Sequence, residues 1–202
     1  LQDLDPAAME PARQLTDHPG PDTYPRFSPD GRRIVFLSGR EDAHNDIWVM
    51  EIKSGELRRL TDRSTWDSDP CWMPDGKAVI YAAAPDEFYP PNLWSISLRA
   101  GAKPQQLTSK GGFSPSVSPD GQYVAYISQR EAASGGQLWV LNLADKREIP
   151  LTAPEIACAQ PAWSPDGKFI YFAQYVDDTD NDGFVTVRDN ACICRIPFSS
   201  EL

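Results

Sequence analysis

The chain has 202 residues, 41% of them hydrophobic, which is enough to bury the core of one domain. Nineteen Lys and Arg stand against 29 Asp and Glu, and a net charge of -10 repels phosphate backbones and anionic lipid surfaces, so nucleic acid is not an expected partner. No stretch approaches the roughly 20 apolar residues that cross a bilayer, and no membrane insertion is expected.

Residues 1–11 read as an N-terminal extension with neither a basic nor an apolar leader segment. The start at Leu1 is expected of a processed product or a piece of something longer. From residue 12 to 202 the sequence repeats. Pro-Asp-Gly begins at Pro29, Pro74, Pro119 and Pro165, steps of 45, 45 and 46 residues. Leu-Thr recurs at Leu15, Leu60, Leu107 and Leu151, and an apolar residue precedes Trp at Ile47-Trp48, Leu93-Trp94 and Leu138-Trp139.

ARQLT, residues 12–16, matches the fourth strand of a unit that has no earlier strands, and is expected to close the last blade as its outer strand. Residues 23–62 form the first unit, with strands PRFS, RRIVFLS, DIWVMEI and LRRLT. Pro presets φ and Gly accepts a positive one, so each Pro-Asp-Gly is a hairpin turn between the first two strands. The second unit, 68–109, and the third, 113–153, carry near-continuous apolar runs such as KAVIYAAA and QLWVLNL. Such runs suit strands buried on both faces, as in blades stacked around an axis. The fourth unit, 159–202, stops after a third strand, ICRIPFSSEL, and holds an insertion at 177–190. The fold class is therefore all-β: a β-propeller of about four four-stranded blades, either a whole small propeller or part of a larger ring. A homodimer or attachment to further repeats would complete such a ring.

PRFSPDGRRIVFLS, PCWMPDGKAVIYAA, PSVSPDGQYVAYIS and PAWSPDGKFIYFAQ resemble the WD40-like repeat (PD40) of the TolB-like propeller family, over about residues 12 to 198. The resemblance implies a periplasmic or extracellular bacterial module that binds protein partners and is not an enzyme. The sequence also resembles the propeller half of prolyl-oligopeptidase-type hydrolases and some propeller lyases. That resemblance implies a substrate-gating domain whose catalytic part is absent from this sequence.

The insertion contains Asp178, Asp180 and Asp182 at alternate positions, then Gly183, Phe184, Thr186 and Asp189. This is the spacing of an EF-hand calcium loop: carboxylates at positions 1, 3 and 5, Gly at 6, and a carboxylate at 12. Calcium takes six to eight hard oxygen ligands. The expectation is that Asp178, Asp180 and Asp182 bind by side chains, Phe184 by its carbonyl, Thr186 through water, and Asp189 closes the site. The loop resembles dockerin-type loops, and Ca2+ is the expected cofactor, as a structural clamp. An acidic solvated turn is the competing reading.

The fourth-to-first and second-to-third loops share one face, where lengths vary most. Tyr24, Trp66, Phe88, Tyr89 and Phe113 lie there among Asp67 and Asp69, and aromatics among acids suit a protein or peptide partner. Packing of loops against blade ends is their other reading. Trp48, Trp94 and Trp139 are expected in the core, with Cys194 in the same place in the fourth unit and Cys192 two residues earlier. Cys71, Cys158, Cys192 and Cys194 leave buried thiols and a bridge to Cys158 both open. Only His18 and His44 are present, without HExxH, GxSxG or P-loop patterns, so no catalytic residue is assigned.

Overall fold

The computed structural model describes residues 12–41, 44–62, 65–86, 89–130, 136–179, 185 and 189–200. Blade 1 is built from β1 (Asp22–Phe27), β2 (Arg33–Ser38), β3 (Asp46–Glu51) and β4 (Leu57–Arg59). Blade 2 follows as β5 (Trp66–Trp72), β6 (Ala78–Ala84), β7 (Asn92–Ser97) and β8 (Gln105–Gln106). Blade 3 is β9 (Phe113–Val117), β10 (Tyr123–Ser128), β11 (Gln137–Asn142) and β12 (Glu148–Pro150). Blade 4 has β13 (Ala157–Trp163), β14 (Phe169–Tyr175) and β15 (Ala191–Pro197). Every neighbouring pair is antiparallel and sequential. The fold is an all-β propeller.

Each sequence marker has a physical task. In the Pro-Asp-Gly turns the glycines have φ of 67, 66, 72 and 71°, the left-handed region that side chains disfavour. Asp30 accepts from Ser28 Oγ at 2.6 Å and Arg32 N at 3.1 Å, and Asp166 repeats this with Ser164 and Lys168. Those hydrogen bonds, the serine's first, hold both carboxyls below the usual carboxylate range.

The Leu-Thr marker clips the fourth strand to the third. Leu60 N donates to Ile47 O at 2.8 Å while Ile47 N donates to Thr61 Oγ1 at 2.8 Å. Leu107 and Thr108 do the same to Leu93, and Leu151 and Thr152 to Leu138. One dipeptide thus satisfies both backbone groups of one buried residue.

Adjacent blades share apolar cores. Val35, Leu37, Ile47 and Val49 of blade 1 pack on Trp72, Val79 and Tyr81 of blade 2. Ile80 and Leu93 then meet Val124, Tyr126 and Trp139, and Ile127, Leu138 and Val140 meet Ile170 and Phe172. Trp72 Nε1 donates across the first junction to Arg26 O, and Trp163 Nε1 across the last to Ser116 O, each at 3.0 Å. Among the described residues no comparable packing joins blade 4 to blade 1. The four blades form an open arc.

The open ends are legible residue by residue. Ile47, Leu93 and Leu138 are each 0% exposed, whereas Ile193, at the same strand position in blade 4, is 77% exposed. Phe27, at the position of Trp72 and Trp163, is 69% exposed. Residues 12–16 do not close the last blade: they carry no strand, and among the described residues the sheet of blade 4 has three strands, not four. Thr16 instead hydrogen-bonds Asp22 of blade 1.

Candidate ligand-binding face

The first strand of every blade carries a β-bulge at a residue followed by proline. Tyr24, Asp69, Ser114 and Gln160 have φ of 54, 50, 49 and 51°, and Pro25, Pro70, Pro115 and Pro161 follow them. Non-glycine residues adopt this region at a cost of about 1–3 kcal/mol each, and such strain gathers at binding sites. These four residues come together around a cavity of about 330 Å³, with Arg26 and Cys71 also on its wall. Asp69 Oδ2 accepts from Ser114 N at 3.1 Å, tying two bulges together.

A larger cavity, about 870 Å³, opens between blades 2 and 3. Tyr89, Pro90, Phe113, Lys110, Gly112 and Arg130 are on its wall. Arg130 stacks 3.5 Å above the Trp139 ring and pairs through Nη1 with Glu148 at 2.5 Å. Its Nη2 donates to Tyr126 Oη at 2.9 Å, and Tyr126 Oη donates to Glu148 at 2.5 Å. Burial, then the hydrogen bond to Glu148, push the Tyr126 hydroxyl far above its ordinary pKa, so it stays protonated.

Blade 1 builds a related cluster. Arg40 lies 4.8 Å over Trp48, and its Nη2 donates to both oxygens of Asp22 at 2.9 Å. Burial raises the Asp22 carboxyl, but hydrogen bonds from Ser38, Arg40 and Thr16 outweigh it and lower the pKa. Of the tryptophans expected in the core, Trp48 and Trp139 are buried and lie beneath these arginines, while Trp94 is half-buried.

The candidate partner residues separate into groups. Tyr24 and Asp69 reach the axial cavity, and Tyr89 and Phe113 the cavity between blades 2 and 3. Trp66 is partly exposed and sits edge-on to His44 at 5.4 Å. Asp67 is only 3% exposed and accepts from Thr65 Oγ1 at 2.9 Å, so it braces the blade and presents no surface. Phe88 lies outside the described residues, as do Asp180, Asp182, Phe184 and Thr186 of the expected calcium loop. Of that loop, Asp178 and Asp189 are described. Asp189 is buried, and its Oδ1 accepts from Thr179 N at 2.6 Å and Thr179 Oγ1 at 2.7 Å.

The four cysteines are free thiols. Cys158 is buried with Cys194 packed against it, while Cys192 is exposed, with its Sγ 3.6 Å from that of Cys194. The sequence reading missed the stacked arginines and Gln160. A fourth in-phase marker, any residue followed by Pro at 25, 70, 115 and 161, would have pointed to the bulges.

Residues 4–131 match the Tricorn protease N-terminal beta propeller domain. The chain belongs to that family. A curated relative, the uncharacterized peptidase YuxL of Bacillus subtilis (strain 168), is 29% identical over 164 residues, 79% of this chain and 22% of YuxL. Two solved structures share the fold. TolB from Acinetobacter baumannii superposes with a TM-score of 0.67 at 19% identity, covering 89% of this chain and 44% of that one. A Mycobacterium tuberculosis puromycin-hydrolyzing peptidase gives 0.69 at 16% identity, covering 93% of this chain and 29% of that one. The chain spans under half the length of each, and it resembles propellers of both TolB and peptidase proteins.

Proposed function

We propose that this propeller is the non-catalytic, peptide-facing domain of a peptidase-type protein whose catalytic part lies outside these residues. The observation that carries the reading is the family match to a protease propeller, joined by a named peptidase as sequence relative. The axial cavity supports it, because its strained bulges present Asp69, Gln160 and backbone groups where an extended chain could pair.

Short end-blocked peptides, basic and neutral, titrated against the 202-residue chain test this by fluorescence anisotropy. Binding is expected, with basic peptides favoured by the charge of -10. Tyr24→Ala should weaken it by about 1–2 kcal/mol, a loss of at least fivefold. No binding, or hydrolysis of the peptides by this chain alone, would overturn the reading.

A calcium-stabilised, extracytoplasmic TolB-like scaffold binding a protein partner on the same face is the second reading. The burial of Asp189, at the closing position of the Asp178–Asp189 spacing, favours it. Calcium there would tie the 177–190 loop to blade 4. At one hundred times Kd it stabilises by about 2.7 kcal/mol, roughly 5–10 °C in a domain of this size. A thermal melt in calcium and in chelator should show that shift, lost in Asp180→Ala; equal melts in both would remove calcium from the account.

A further inference from the structure

Blades 1 and 3 place an arginine over a tryptophan at the same repeat position, 90 residues apart, yet balance it differently. In blade 1 the first strand supplies the anion, Asp22, opposite Ser38. In blade 3 the position of Asp22 is Gly112, and any Cβ there would meet Leu93 at 3.0 Å and Tyr126 at 3.1 Å. The anion comes instead from Glu148 on β12, with the Tyr126 hydroxyl where blade 1 has Phe36.

Arg130 therefore has no first-strand carboxylate beside it, and it stands on the wall of the cavity. Arg40 Nε donates to Ser38 Oγ at 2.8 Å, but Arg130 Nε is buried without a hydrogen-bond partner among the described residues. Ser128, the counterpart of Ser38, donates its hydroxyl to Lys110 O. A buried unpaired donor on a charged group is costly. Lys110, on the same cavity wall, is exposed and makes no ion pair among the described residues. Tyr89, Pro90 and Phe113 supply apolar wall, and the volume is that of a small-molecule site. On a chain of net charge -10, this is a locally cationic, apolar hollow.

We propose that the cavity between blades 2 and 3 binds a carboxylate carried on an apolar or aromatic body, with Arg130 and Lys110 facing the carboxylate and Tyr89 and Phe113 the body. A free organic acid and a peptide C-terminus share this chemistry. The proposal rests on the ligand-facing reading of this face, and its probes differ from the end-blocked peptides that test that reading.

Calorimetric titration with N-acetyl-Ala-Phe, its C-terminal amide and 3-phenylpropionate decides it. The acid is expected to bind at least tenfold more tightly than the amide, and Lys110→Glu to lose at least tenfold with an unchanged melting temperature. Arg130→Gln should lose more, and because it also opens the Glu148 pair, the exposed Lys110 variant keeps the test independent of folding. Binding of 3-phenylpropionate as tightly as the dipeptide assigns the site to free acids; binding of the dipeptide acid alone assigns it to chain termini. Equal binding of acid and amide, an unaffected Lys110→Glu, or no binding of either acid overturns the proposal. End-blocked peptides that still bind would leave the peptide-facing reading standing.

Discussion

Leu138→Ala is expected to destabilise the chain by about 2–5 kcal/mol in denaturant unfolding, while Ile193→Ala changes it by less than about 1 kcal/mol. The two residues hold the same place in consecutive repeats, each one residue before the Trp48-type position. Leu138 is 0% exposed between blades 3 and 4, and its backbone is clipped by Leu151 and Thr152. Truncating it leaves a cavity walled by Ile127, Val140 and Phe172 that a close-packed junction cannot collapse. Ile193 is 77% exposed, so its side chain has little burial to lose. A loss at Ile193 equal to that at Leu138 would show that something covers the forward face of blade 4. In any longer form that adds a blade there, that equality is the expected result.

The same comparison explains how far the sequence could be read. Pro-Asp-Gly in all four blades, and Leu-Thr and apolar-Trp in the first three, each encode a local interaction: a left-handed turn, a backbone clip, a buried strand centre. Such interactions need no knowledge of distant contacts, and the propeller follows from them. What the sequence did not disclose arises from bulges and from side chains that meet across strands. The bulges at Tyr24, Asp69, Ser114 and Gln160 differ in side chain, so only the proline after each marks them. Asp67 looked like part of an acidic surface because its neighbours are acidic, yet strand alternation turns it inward to Thr65. Arg130 escaped notice because its partners, Glu148, Tyr126 and Trp139, come from three strands. The N-terminal Leu15-Thr16 carries the clip motif correctly, but a clip acts only where a third strand receives it, and Thr16 bonds Asp22 instead.

Asp46→Ala is the second substitution with a large expected effect, about 3 kcal/mol in the same unfolding measurement. Asp46 opens β3 at 1% exposure, and its Oδ2 accepts from Arg59 Nη2 at 2.6 Å. Its Oδ1 accepts from Thr61 Oγ1 at 3.3 Å, the hydroxyl that itself accepts from Ile47 N. The carboxylate therefore orients the threonine of the clip as well as neutralising the arginine. Removing it leaves the partly buried Arg59 without one of its carboxylates and a hydroxyl free to rotate away from the strand it holds. The effect stays near the low end for a broken buried pair, because the Arg59 side chain is 21% exposed and keeps Glu41 at 2.6 Å. Asp46→Asn keeps one of the two acceptor oxygens without the charge, and its NH2 can donate to the Thr61 hydroxyl, so it should recover part of the loss. Blades 2 and 3 have Asn92 and Gln137 at this position, and Gln137 Nε2 donates to Thr152 O. A neutral amide there already serves two blades, which makes Asn the informative replacement. Equal destabilisation by Ala and Asn would assign the whole effect to the ion pair, and none to the clip.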